Sequence, residues 1–213
     1  MRGDFVFAES GGDSYQYQQL FINNYNTKHS MEKDASKLMT ERTFWSIIEN
    51  SDRGHNLEEC LSPLSEDELF GFRYWWDYFV HKTYKQDIWA AAYIVLGGCS
   101  DDSFEYFRYW LIAQGHEAVY NALENADSLC DVFDGLEDPE GEDYPEQEDL
   151  DYAVQNVIAR RTGDIDYYYE ALENYSLPTY EEEEIEFEWD EDDEESLRDV
   201  CPRIFDRWWD NQL

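Results

Sequence analysis

Residues 86–115 read QDIWAAAYIVLGGCSDDSFEYFRYWLIAQG, the most apolar and aromatic stretch of an otherwise very acidic chain. Trp89, Ala92, Tyr93 and Leu96 recur at i, i+3, i+4 and i+7, while Ile88, Ala91 and Val95 fill the other side. A helix that is apolar all round is a buried helix. This run is too short to cross a bilayer, which takes about 20 apolar residues. Gly97-Gly98 stops it, because glycine takes the left-handed conformation without a Cβ clash. Ser100 opens a second helix: its hydroxyl accepts a bond from a free backbone N–H, and Asp101 and Asp102 put negative charge at the positive end of the helix dipole. Phe104, Phe107 and Leu111 give that helix a core stripe, with Trp110 beside it, and Gln114-Gly115 ends it. Two helices joined by a tight turn make a helical hairpin. The expected fold is mainly α: a compact multi-helix domain around this hairpin, with an acidic extended segment and a C-terminal helix packed on it.

The turn itself, GGCSDD at 97–102, has two readings. As structure it is stop, turn and cap. As chemistry it is a small polar site made of the Cys99 thiol, the Asp101 and Asp102 carboxylates and free N–H groups, with Arg108 one to two turns on. The capping roles account for every residue, and two aspartates would repel the anions that a helix start otherwise binds. Cys99, Asp101, Asp102 and Arg108 are therefore the residues that a catalytic reading has to use, the acids serving as base or cation ligands.

A chain of 213 residues suits one domain, or one domain with an appendage. Its formal charge of −36 is extreme. It is also uneven: residues 131–213 hold 30 acidic and 5 basic residues, which is −25 of the total. Such a surface keeps a protein soluble and repels nucleic-acid phosphate and anionic membranes. It favours a basic protein partner or cations, or it imitates nucleic acid for a DNA-binding protein. The four cysteines (Cys60, Cys99, Cys130, Cys201) form no CxxC pair and read as reduced thiols of a cytoplasmic protein. The four histidines show no HxxxH spacing, so neither zinc nor a cofactor is expected. No basic-plus-apolar leader opens the chain, and no segment reaches membrane-spanning length.

Four parts follow from the punctuation. Residues 1–37 form a polar arm with two apolar islands, Phe5-Val6-Phe7 and Leu20-Phe21-Ile22. Residues 38–133 form the helical core domain. Thr40 caps a helix with Phe44, Ile47 and Ile48 on one face. Ser65 with Glu68 is a capping box opening a helix through Leu69, Phe72, Trp76 and Phe79. In that helix the aromatic block Trp75, Trp76, Tyr78 and Phe79 reads as core plus a half-buried rim. His81 near its end suits the negative dipole end and would need a carboxylate close by in space to act as a base. Residues 134–149, GLEDPEGEDYPEQED with its flanking Asp134, read as an exposed, mobile acidic linker without a calcium-loop pattern. Residues 150–213 form a C-terminal helical subdomain packed on the core. In it Leu150, Ala153, Val154, Val157 and Ile158 share a helix face, and Gly163 caps that helix. EEEEIEFEWDEDDEE at 181–195 is an extended segment laid on the body by Ile185, Phe187 and Trp189, and Ser196 caps a last helix that Pro202 kinks or splits.

TERTFWSIIE at 40–49, DIWAAAYIVLGGCSDDSFEYFRYWLIAQG at 87–115, NALENADSL at 121–129 and the acidic ending EFEWDEDDEESLRDVCPRIFDRWWDN together resemble the bacterial family called domain of unknown function 4240. The resemblance covers about residues 40–213. It implies boundaries and supplies no mechanism. The expected function is an acidic cytoplasmic interaction module that binds a basic partner, in an inhibitor, immunity or defence-related role. Glu181, Glu182, Glu183, Glu184, Glu191, Asp192 and Asp193 are its candidate partner-binding residues. An enzyme with a site near Cys99–Asp102 and a nucleic-acid mimic are the alternatives.

Overall fold

A computed structural model describes residues 32–136, 141, 143–180 and 184–213. The apolar islands of the N-terminal arm, and Glu181, Glu182 and Glu183 of the acidic run, lie outside the described residues. The described part is mainly helical, with eleven α-helices. Its strands are β1 (Lys33–Asp34) and β2 (Tyr175–Ser176), a two-residue parallel ladder that ties the end of the arm to the C-terminal half. Among the described residues no helix is long and apolar enough to cross a membrane.

After β1, Asp34 caps a short 3-10 turn at Ala35–Lys37, and Thr40 caps α1 (Glu41–Glu49) by accepting from Thr43 N at 3.2 Å. Helix α2 (Leu57–Leu61) is short and stops before Pro63. Helix α3 (Glu66–Lys82) opens with the full capping box, Ser65 and Glu68 exchanging side-chain and backbone bonds. Its aromatic block divides as the spacing predicts: Trp76 and Phe79 are buried, Trp75 and Tyr78 half-buried. Helix α4 (Gln86–Leu96) ends at Gly97, whose φ of 71° is left-handed. Ser100 then caps α5 (Asp101–Ala113) through Ser103 N. Residues 116–133 form two short helices, α6 (His116–Glu124) and α7 (Leu129–Phe133), around a 3-10 turn at Ala126–Ser128.

Helix α8 (Ala153–Thr162) is entered through a 3-10 turn at Glu148–Tyr152, and Gly163 caps it with a φ of 73°. Tyr168 and Ala171 of α9 (Asp166–Leu172) are buried. The last helix is split, not kinked, into α10 (Glu194–Val200) and α11 (Pro202–Trp208), with Pro202 in the first turn of α11, where its missing N–H costs nothing. Asp193, not Ser196, stands at the start of α10. Ser196 lies inside the helix, and its hydroxyl accepts from Asp190 N and donates to Asp193 O.

The described part of the acidic segment at 143–150 does not stand free. Pro145 is buried, Gln147 N donates to Tyr106 O at 3.2 Å, and Arg53 pairs with Asp143 at 3.3 Å. A proline and a tyrosine among the acids supply an apolar footing that charge counting overlooks. Farther on, Trp189 docks by donating to Gln86 O at 2.8 Å, whereas Phe187 is 46% exposed and touches the body edge-on at Trp89.

The core is continuous from Met39 to Trp208. Helix α4 is buried along Ile88–Ala92 and at Ile94 and Val95, and it packs on α5, α10 and α11. Asp127, buried in the 3-10 turn, accepts from the N–H groups of Arg203 at 2.9 Å and Ile204 at 3.0 Å, so it caps α11 from a distant part of the chain.

Gly71 marks a close approach between α3 and the segment that precedes α1. Alanine in an open helix interior is worth about 1 kcal/mol over glycine. Here a Cβ would meet Met39 Cβ at 2.8 Å and Met39 N at 2.9 Å. Gly71→Ala is therefore expected to destabilise the fold by about 1–3 kcal/mol, read as a lower urea midpoint. A higher midpoint would mean that helix propensity outweighs the clash.

Candidate functional site

Two helices present one polar face each to a common cleft. From α3 come Asp77, Val80 and His81, and Tyr84 joins them from just beyond the helix's C-cap, Thr83. On α5 they are Asp101, Asp102, Glu105 and Arg108. Trp89 of α4 lines the cleft as well, and Pro178 and Tyr180, beyond β2, close one side. The cavity is about 550 Å³, large enough for a small molecule or a peptide side chain with its backbone.

The groups in it are held to different degrees. Asp101 and Asp102 are exposed on the first turn of α5. Glu105 accepts a hydrogen bond from Tyr109 one turn on. Asp77 pairs with Arg73 at 2.7 Å, and Arg73 also reaches Asp151 at 3.1 Å. Burial pushes the Asp77 carboxyl above its ordinary range, and Arg73, shared between two carboxylates, only partly offsets this. Burial alone would lower Arg73, and Asp77 and Asp151 more than reverse it. The His81 ring lies flat on Tyr180, with centroids 4.1 Å apart.

Arg108 is the unusual member. It is 9% exposed. Nη1 donates to Val80 O at 2.7 Å, near the negative end of α3, and Nε donates to Phe104 O at 3.3 Å. The guanidinium carbon sits 5.0 Å from the Tyr84 ring centre and 5.1 Å from that of Phe104, a stacked, weakly hydrated setting that suits arginine. Burial lowers its pKa, opposed first by Glu105.

The cleft therefore gathers three of the four residues singled out in the sequence, Asp101, Asp102 and Arg108. It does not include Cys99, whose carbonyl accepts from Trp89 Nε1 at 3.0 Å and whose thiol is pushed up to about 12, by burial first and by Glu146 next. A thiol held protonated in this way is a weak nucleophile. Asp77, Glu105, Tyr84 and Tyr180 were not singled out. The signal for the α3 face is present as the Asp77–His81 spacing, but nothing local shows that α5 faces it.

Of the expected partner-binding acids within the described residues, Glu184 and Asp192 are exposed. Glu191 accepts from Tyr93 Oη at 3.4 Å, and Asp193 stands at the start of α10. Among the described residues no group of three or more His, Cys, Asp or Glu side chains converges to hold a metal ion.

A family model described as protein of unknown function (DUF4240) matches residues 39–160. Both helical walls of the cleft lie inside that match, and Pro178 and Tyr180 lie beyond it. Neither a curated protein nor a solved structure matches the chain.

The thiols give a direct check. Burial raises the Cys99 thiol, so it stays mostly protonated at pH 8. Burial raises Cys130 and Cys201 too. Titration of the native protein with a disulfide reagent at pH 8 is expected to label Cys60 first, and Cys60→Ser is expected to abolish the fast phase. Rapid labelling of Cys99 without denaturant would return it to the site as a reactive thiol.

Proposed function

The chain belongs to the DUF4240 family, and on that premise we propose that it is an acidic interaction module that takes a basic group of a protein partner into the cleft between α3 and α5. The observation that supports this is the combination of exposed Asp101 and Asp102 carboxylates with the Trp89, Tyr84 and Tyr180 rings around one cavity. Carboxylates beside aromatic faces favour a lysine or arginine side chain, by charge and by cation–π attraction. The −36 charge steers such a partner in from a distance and makes association salt-dependent. The four free cysteines support a reducing, cytoplasmic setting.

A second reading, an enzyme that moves a proton through Asp77, draws on the raised carboxyl of that residue in the cleft beside His81. Competition between duplex DNA and the chain for the same partner would instead favour nucleic-acid mimicry.

The test is fluorescence anisotropy of labelled lysine-rich and glutamate-rich peptides with the full chain. Lysine-rich peptides are expected to bind at low salt and to weaken as salt rises. Asp101→Asn/Asp102→Asn is expected to lose about fivefold in affinity, the scale of two exposed charge contacts, with the melting temperature nearly kept. Equal binding of acidic and basic peptides would end this reading.

A further inference from the structure

We infer that the cleft reads a basic residue together with its own free carboxylate, the carboxylate sitting on Arg108 and the cationic side chain lying toward Asp101 and Asp102. This rests on the basic-partner reading above and narrows it.

The argument starts from the hydrogen-bond inventory of Arg108. Guanidinium offers five N–H donors and no acceptor. Two are used on Val80 O and Phe104 O. Among the described residues the others find no partner, and no carboxylate lies within ion-pair distance. A buried charge is normally paired, yet this one lines a cavity, and its bonds to the described residues run from Nε and Nη1 only. Its fixed fork matches a carboxylate, which two parallel N–H donors hold with directional specificity.

An anion alone fits poorly, because Asp101, Asp102 and Glu105 share the same helix face and would repel it. A cation alone is held by the carboxylates but leaves Arg108 without a counter-charge. A ligand carrying both charges satisfies both ends. Asp101 and Arg108 are seven residues apart on α5, a backbone offset of about 10 Å, which the guanidinium shortens by reaching back to Phe104 O. That span suits the reach from the α-carboxylate of a lysine or arginine to the end of its side chain. Tyr84 and Trp89 would flank the methylene stem between them.

Two sources carry this chemistry, the C-terminal residue of a basic peptide and the free amino acid. The experiment is calorimetry of the full chain with one peptide sequence prepared in two forms, ending in lysine carboxylate or lysine amide, beside free lysine and lysinamide. The carboxylate peptide is expected to bind about tenfold more tightly than the amide, and Arg108→Lys is expected to erase that preference while Asp101→Asn weakens both forms alike. If Arg108→Lys fails to fold, the peptide comparison on the unaltered protein still decides. Free lysine binding as tightly as the peptide, with lysinamide weaker, supports the same recognition and assigns the source to the amino acid. Equal affinity for carboxylate and amide peptides overturns this inference and leaves the basic-partner reading standing. Absence of binding by either peptide at low salt overturns both.

Discussion

A helix without a polar side has to be covered all round, and the rest of this protein meets that demand for Gln86–Leu96. The Gly97 turn folds α5 back along it, and the remaining surface is closed by α10 and α11. These closing helices come from the most acidic half of the chain. Leu197, Ile204 and Trp208 supply their apolar face, so a region that reads as charge by composition acts as a lid on the core. Asp127 fixes the lid in register by holding the first N–H groups of α11. It lies in the 3-10 turn that itself packs against α4, which binds the two ends of the arrangement together.

The cleft is a by-product of the same packing. Because α5 must present Phe104, Phe107 and Leu111 to the core, the edge beside that stripe carries Asp101, Glu105 and Arg108. Helix α3 presents Phe72, Trp76 and Phe79 inward and leaves Asp77 and His81 at its other edge, with Tyr84 following the helix end. Arg108 bridges the two helices by bonding Val80 O, so the residue that joins the walls also lines the cavity with donors to spare.

Much of the fold was legible because it is written in local chemistry. Thr40, Ser65 and Ser100 cap within their own first turns, and Gly97 and Gly163 take up left-handed conformations. Each of these signals needs only a few residues of context. The helix starting near Ser196 was placed late because a serine inside a helix can bond backwards to Asp190 as readily as it can cap. The anchoring of 143–150 was hidden because it depends on Tyr106 and Arg53, far away in sequence. The site divides in the same way. Asp101, Asp102 and Arg108 stood out through their place beside the turn, whereas Asp77 and Tyr180 join them only through the packing of α3 and the chain beyond β2. Cys99 stands out for its thiol, and the half-buried residue lies outside the cleft lining, a placement that no neighbouring residue announces.

The arginines of the second half are all committed. Arg160 pairs with Glu58, Arg203 with Asp131 and Arg207 with Asp134, Arg161 donates to the carbonyls of Leu61 and Ser62, and Arg198 joins Asp206. Every positive charge of residues 131–213 is thus spent on suturing the chain to itself. The net charge of that half remains −25. Two copies approaching in dilute buffer meet a mutual barrier, which shrinks as the Debye length falls from about 30 Å at 0.01 M salt to 3 Å at 1 M. Concentrating or crystallising this protein is therefore chiefly a problem of counterions, and acidification toward its isoelectric point near 4.1 removes the same barrier from the other direction.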